Sequence, residues 1–311
     1  MLQITNHPLY KKHNIDSAMS SLWEFYRSRF ILLFLISFIM SLIIQYGSTF
    51  INIKELQTTS DPMVMLEKIK EYIVPILIIS VISLFFSNIL HYYVLLKPID
   101  NSKNIFISAI ESLKYFIPYI IILIILAFFG SIAIALGLMV FIVGVIFSVI
   151  YVMMVSFFIL PVLMTEGIHI GNTILRTVKL SHRNFWNNIG WTAVFLILII
   201  IVSLILSTII MIPFTGSFVK TLFNPQDAGK ILDMTTSPVY IILSSAANAL
   251  TLPLLPIFGF ILYFNGKARE AVIQVPSYGD ENYKVSVEDL YAKPLPEENP
   301  DEKKDREQSV E

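Results

Sequence analysis

Long uninterrupted runs of apolar residues, separated by short charged stretches, dominate the chain. A helix needs about 20 mostly apolar residues to cross the hydrocarbon core of a bilayer. The first such run spans Phe30 to Phe50, and the second spans Tyr72 to Leu96 with Pro75 in its first turn. Then come 51 uncharged residues, Tyr115 to Thr165. One straight helix of that length would measure about 76 Å, more than twice the core thickness, so the run must fold back on itself. Gly137 near its middle places a hairpin at Ala135–Val140 and yields spans three and four. Span five runs from Asn188 to Ile212, before Pro213, and span six from Val239 to Phe264. The pattern predicts an all-α integral membrane protein with six transmembrane helices. Its organisation is a cytoplasmic segment 1–29, a transmembrane domain 30–264 and a tail 265–311.

A second periodicity lies under the first. Ile15, Met19, Leu22 and Tyr26 recur at the spacing of one helical face, with Ser17, Ser20, Ser21 and Glu24 on the other. A shift of 91 positions takes the apolar set to Phe106, Ile110, Leu113 and Ile117, and Ser21-Leu22 to Ser112-Leu113. A further 65 positions leads to Thr177-Val178-Lys179, with Leu175 matching Ile110. The third copy is degraded, because Gly171 and His182 fall on apolar positions. This predicts three repeats of an interfacial amphipathic helix followed by two spans. Helices of that kind lie in the headgroup plane with the apolar face down. A repeat with two crossings keeps its direction, so any pseudo-symmetry axis runs along the membrane normal.

Charge adds orientation. The N-terminal segment, the loops after spans two and four, and the stretch after span six carry 12 Lys and Arg, against 5 in the other loops. By the positive-inside rule both termini are cytoplasmic. No apolar stretch of signal-peptide type precedes Trp23-Glu24-Phe25-Tyr26-Arg27, so span one is expected to act as an uncleaved signal anchor. Residues 1–270 hold 17 basic against 12 acidic side chains, and residues 271–311 hold 5 against 11. The tail, with Pro294, Pro296 and Pro300 and few apolar anchors, is expected to be an acidic, disordered cytoplasmic strand. Only 14% of the chain is charged, far below a soluble domain, and there is no domain-sized basic face for nucleic acid. With no cysteine, disulfides, thiol nucleophiles and cysteine metal sites are excluded.

Around span four, Phe157-Phe158-Ile159-Leu160-Pro161 is followed by Glu166-Gly167 and by Arg176-Thr177 and Leu180. At the far end, Leu262-Tyr263-Phe264 runs into Asn265, Lys267, Ala268 and Arg269. Over about residues 10–270 this resembles the bacterial six-span proteins grouped around the membrane domain of glycerophosphoryl diester phosphodiesterases and the YciC-like membrane proteins. Asn265-Gly266 departs from the more polar ending usual there. The resemblance implies a six-helix fold in the cytoplasmic membrane and no activity of its own. In that group the membrane domain is sometimes fused to a soluble phosphodiesterase domain, which carries the catalysis, and nothing here resembles that domain.

Candidate chemistry is sparse. No Asp, Glu, Lys or Arg lies near the centre of any span, which argues against proton-coupled transport. Ser80, Ser83, Ser87 and Asn88 in span two, and Ser244, Ser245 and Asn248 in span six, read as close-packing positions. The two amides need partners in hydrocarbon. Glu166 and His169 would share a face if one helix held both. Together, and with His91 if it approached, they could bind a metal or trade a proton, whereas the plainer reading pairs Glu166 with a neighbouring cation. Two ligands fall short of a metal site, so no metal or cofactor is expected. Arg176, Lys179 and Arg183 form a basic stripe near Trp186 and Trp191, suited to anionic lipid headgroups, to a partner's acidic face, or to plain topology.

The short loops hold no nucleophile elbow, phosphate loop or paired catalytic carboxylates. Asp61-Pro62 before Met63, Leu66 and Lys70 reads as a short capped helix. The sequence points to a scaffold or accessory protein without catalytic machinery, whose partners are membrane lipids or other membrane proteins. A transporter or channel is the alternative, with a path between the two-span units. An intramembrane enzyme would require Glu166, His169 and His91 to meet.

Overall fold

The computed structural model describes residues 4–51, 62–100, 105–216 and 235–273. Among them there is no strand, and the chain runs α1 (Ile15–Ser28), α2 (Phe30–Ser48), α3 (Pro62–Leu96), α4 (Ile105–Leu138), α5 (Phe141–Glu166), α6 (Ile170–Arg183), α7 (Phe185–Met211), α8 (Pro238–Thr251) and α9 (Leu254–Ile273). Six stretches are long and apolar enough to cross a membrane, α8 and α9 together making the sixth. The predicted hairpin is present, with α4 ending at Leu138 and α5 starting at Phe141. All of this lies in one compact unit, Met1–Val272. The acidic tail expected beyond it falls outside the described residues.

Three boundaries differ from expectation. The short helix expected after Asp61 is continuous with span two, because nothing after Pro62 breaks a 35-residue helix that also absorbs Pro75. Asp61 itself lies outside the described residues. The sixth span does not stop at Phe264 but stays helical to Ile273, and residues 265–272 fall in the same compact unit as the spans. The second amphipathic copy is no separate interfacial helix. It forms the first turns of the 34-residue α4, since no cap or glycine separates it from span three.

The repeat register holds, and the apolar face of the second copy turns away from the bundle, the side on which lipid lies. In α4 the apolar positions Phe106, Ile110, Leu113 and Ile117 point outward, while Ser108 and Ser112 are fully buried. Ser21, Ser112 and Thr177, which the shifts of 91 and 65 positions superpose, are all buried. Small hydroxyl side chains let helix backbones approach, which is what packs helices when lipid competes for every apolar surface. Helix α1 is the exception in part, because Leu22 and Tyr26 of its apolar set are buried too. It starts with a capping box, in which Asn14 Oδ1 accepts from the Ser17 N–H at 2.8 Å and Ser17 Oγ accepts from the Asn14 N–H at 2.9 Å.

The core surrounds α9. A helix that is apolar all round belongs inside, and Ile257, Phe258, Phe260, Ile261, Leu262, Tyr263 and Phe264 are all 0% exposed. Phe258 stacks on Phe195 of α7 at 4.0 Å between ring centroids and meets Phe157 of α5 edge-on at 5.3 Å. Gly259 permits that approach: a Cβ there would lie 2.8 Å from the Phe157 carbonyl oxygen. Around α9 gather the ends of α3 and α5, the starts of α4 and α7, and helices α1 and α6. Away from this layer the helices turn large apolar side chains outward, as at Leu136, Met139, Phe141 and Ile142 around the hairpin.

The segment before α1 is part of the core, with His7, Leu9 and His13 each 2% exposed. His7 is buried with its ring 4.7 Å from that of Phe264. Its Nδ1 accepts from the Leu9 N–H at 3.2 Å, which leaves Nε2–H to donate to the Val94 carbonyl at 3.1 Å. His13 donates its backbone N–H to Asn265 Oδ1 at 3.0 Å, and Arg269 donates to the His13 carbonyl at 3.1 Å. Burial pushes the His7 pKa down from 6.5 to about 4, aided by the charge of Arg29, against the raising effect of its bond to Val94.

A neutral histidine is therefore part of the fold. Its contribution is complete above pH 6.5 and is lost as pH falls through about 4, roughly 3 kcal/mol in all. The protection of residues 4–14 against hydrogen exchange, taken relative to the intrinsic rate at each pH, is expected to fall as pH falls through that window. His7→Phe should flatten the dependence, and an unchanged profile would mean that the ring does not report the docking.

Candidate functional site

Polar chemistry concentrates where α5, α6 and α9 meet. Helix α5 ends at Glu166, and Gly167 takes φ +118°, a conformation that side chains with a Cβ avoid, so the chain turns sharply into α6. That turn sets Arg176 of α6 against Glu166, Nε donating at 2.6 Å and Nη2 at 3.2 Å. The same guanidinium donates to both carboxylate oxygens of Glu270 on α9, at 3.3 and 2.9 Å. Arg183 Nη1 lies 3.0 Å from Glu270, and Lys267 Nζ lies 3.3 Å from Glu166 and 3.6 Å from Glu270. The Tyr263 hydroxyl donates to Glu166 at 3.1 Å from within the core, and the Thr165 hydroxyl adds a bond to it at 2.6 Å.

Three cations thus meet two carboxylates in a cluster whose side chains are only partly exposed, from 14% at Glu270 to 26% at Arg183. Its hydrogen bonds to Glu270 and then Glu166 raise the Arg176 pKa, so its charge is permanent. Paired bidentate contacts are the strong form of Arg–carboxylate recognition and lock orientation. Chemically the cluster is a clasp. Its carboxylates are occupied by cations, which leaves no free base to take a proton.

The structure brings some predicted site residues together and separates others. Glu166 pairs with cations of the adjoining helices, the plainer of its two readings. His169 does not share a face with it, because Gly167 ends the helix between them. His169 instead occupies the position before α6, exposed, and its side chain caps nothing. His91 does not join them: its Nδ1 bonds the Ser87 carbonyl at 2.8 Å and its ring lies against Phe260. No group of three or more metal-ligating side chains exists among the described residues.

The basic stripe divides. Arg176 and Arg183 are held by Glu270, while Lys179 is exposed and makes no ion pair among the described residues. Asn88 is buried and donates to the Ser112 carbonyl at 2.7 Å, tying α3 to α4. Asn248 does not meet it. It borders a cavity of about 140 Å³ between α7 and α8 with Ser203, Ser207, Tyr240, Ser244 and Thr251.

Tyr263, Lys267 and Glu270 are the members that sequence reasoning missed. The available signal was the i, i+3 pair Lys267–Glu270, which becomes visible once span six is continued past Phe264 as helix. Asn188 was missed as well; its amide donates to the Ser181 carbonyl at 2.9 Å and fixes the turn from α6 to α7.

Fold and site together define a polytopic α-helical membrane protein with a clasped polar end. No family model, curated protein or solved structure matches the chain.

Proposed function

We propose that the protein is a non-catalytic scaffold or accessory factor of the cytoplasmic membrane. In this reading the termini and the ion-pair cluster face the cytoplasm, and the protein engages anionic lipids or partner membrane proteins there. The observation that carries it is the middle of α9, where Ile257, Phe258 and Phe260 to Phe264 are apolar and 0% exposed, a packed centre rather than a polar one. The absence of a free acid–base pair at the cluster supports the same conclusion, as do the 12 basic residues assigned to this face. The resemblance to the membrane domain of the phosphodiesterase group agrees, since there the chemistry is done elsewhere.

The test compares thermal stability of the full chain in nanodiscs of zwitterionic phospholipid and of a mixture with anionic phospholipid. The anionic mixture is expected to raise the midpoint, and Lys179→Gln to reduce the gain. Equal midpoints would remove lipid from the reading. A second reading, passage of a small uncharged polar solute, draws on the cavity at Asn248. It would be favoured if osmotic swelling of proteoliposomes responded to such a solute and Asn248→Leu abolished the response.

A further inference from the structure

A crevice of about 300 Å³ lies between α4, α5 and α6. Ile125, Phe129, Val152 and Val155 make its walls apolar, and the third repeat helix contributes Thr177. The lining residue Phe129 is itself 63% exposed, so the crevice is bordered by an outward-facing apolar side chain suited to hydrocarbon. Along α5 its lining runs from Tyr151 to Ile159, about 12 Å of helix rise. Its length and largely apolar lining suit an alkyl chain better than a polar solute.

Thr177 is the exception in that lining. It is 3% exposed, and its hydroxyl has no hydrogen-bond partner. Helical threonines normally return the hydroxyl to the carbonyl four residues back, as Thr192 and Thr208 do here. At Thr177 that bond is not made, and a buried donor left unpaired costs stability unless something else accepts from it. Above it, the Tyr151 hydroxyl and His182 Nε2 lie 3.2 Å apart and join α5 to the last turn of α6.

We propose that this crevice binds one acyl chain of a membrane phospholipid, with an ester carbonyl oxygen of the lipid accepting the Thr177 hydroxyl. The chain fills the apolar volume, and the carbonyl, the first polar group above an acyl chain, supplies the acceptor that the protein lacks. The assignment rests on the lipid-binding reading above and gives it a place.

The experiment uses the full chain in nanodiscs containing a phospholipid with a photoactivatable diazirine in one acyl chain, and maps adducts by peptide mass spectrometry after illumination. Adducts are expected to concentrate on Ile125, Phe129, Val152 and Val155. Thr177→Val should lower them about threefold or more, the effect of losing one modest hydrogen bond, and Thr177→Ser should restore them. Ala133→Phe, which fills the crevice, should remove them while labelling of the separate apolar groove at Gly47 and Pro75 persists.

Adducts no denser in the crevice than on outward-facing Ile132 and Leu136, or unchanged by Thr177→Val and Ala133→Phe, overturn the assignment and leave the membrane reading intact. Labelling absent from every helix overturns both.

Discussion

Phe258→Ala is expected to produce the largest loss of stability of any single truncation in the bundle. The ring is 0% exposed, stacked on Phe195 and edge-on to Phe157, at the point where α5, α7 and α9 converge. In soluble proteins removing such a ring costs about 3–5 kcal/mol through lost transfer energy and the cavity left behind. In a bilayer the transfer part shrinks, because the unfolded helix would bury the ring in lipid instead. The packing part remains, since neither Gly259 nor the α5 backbone can close the gap without moving whole helices. A loss of about 3 kcal/mol is therefore expected, read from reversible unfolding in mixed micelles. Ile242→Ala, at an outward position on α8, should stay within about 0.5 kcal/mol. Equal effects at the two sites would show that α9 is not the packed centre.

Arg176→Met ranks second. It takes from Glu166 and Glu270 the guanidinium that bridges them, leaving Lys267 alone on Glu166 and Lys267 with Arg183 on Glu270. Removing one partner of a fully buried pair costs about 3–5 kcal/mol. Here the Arg176 side chain is 25% exposed and Lys267 and Arg183 remain, so about 2 kcal/mol is expected after allowance for solvent screening. The diagnostic result is the double variant: adding Glu270→Gln should recover part of the loss by removing a carboxylate that has lost its principal partner. A double-mutant cycle with no coupling between positions 176 and 270 would mean that the clasp does not hold α6 to α9.

How much of this was legible depends on the range of the interaction concerned. The six spans and the hairpin near Gly137 follow from apolar run length, which a bilayer of fixed thickness converts directly into helices. The pairing of Glu166 with a cation of the adjoining helix was one of two readings, because Arg176 follows only ten residues later. The expectation that Glu166 and His169 share a face failed at one residue, Gly167, whose backbone conformation is not a matter of hydrophobic pattern. The second repeat copy turns its apolar side away from the bundle, and the solvent is the reason. In a soluble helix the apolar side turns inward, but in lipid Phe106 and Ile110 gain nothing by doing so, and the small residues Ser108 and Ser112 take the packed side.

From the sequence alone came the class of protein, the number of crossings and the absence of charge within them, because each is a property of a run of residues against a uniform solvent. The tertiary structure alone decided that α9 lies at the centre, that His7 is tucked against Phe264, and that Glu270 closes on Arg176 across the fold. Those outcomes depend on which helices end side by side. Within a membrane that choice is made by shape and a few polar contacts, whose partners lie far apart along the chain.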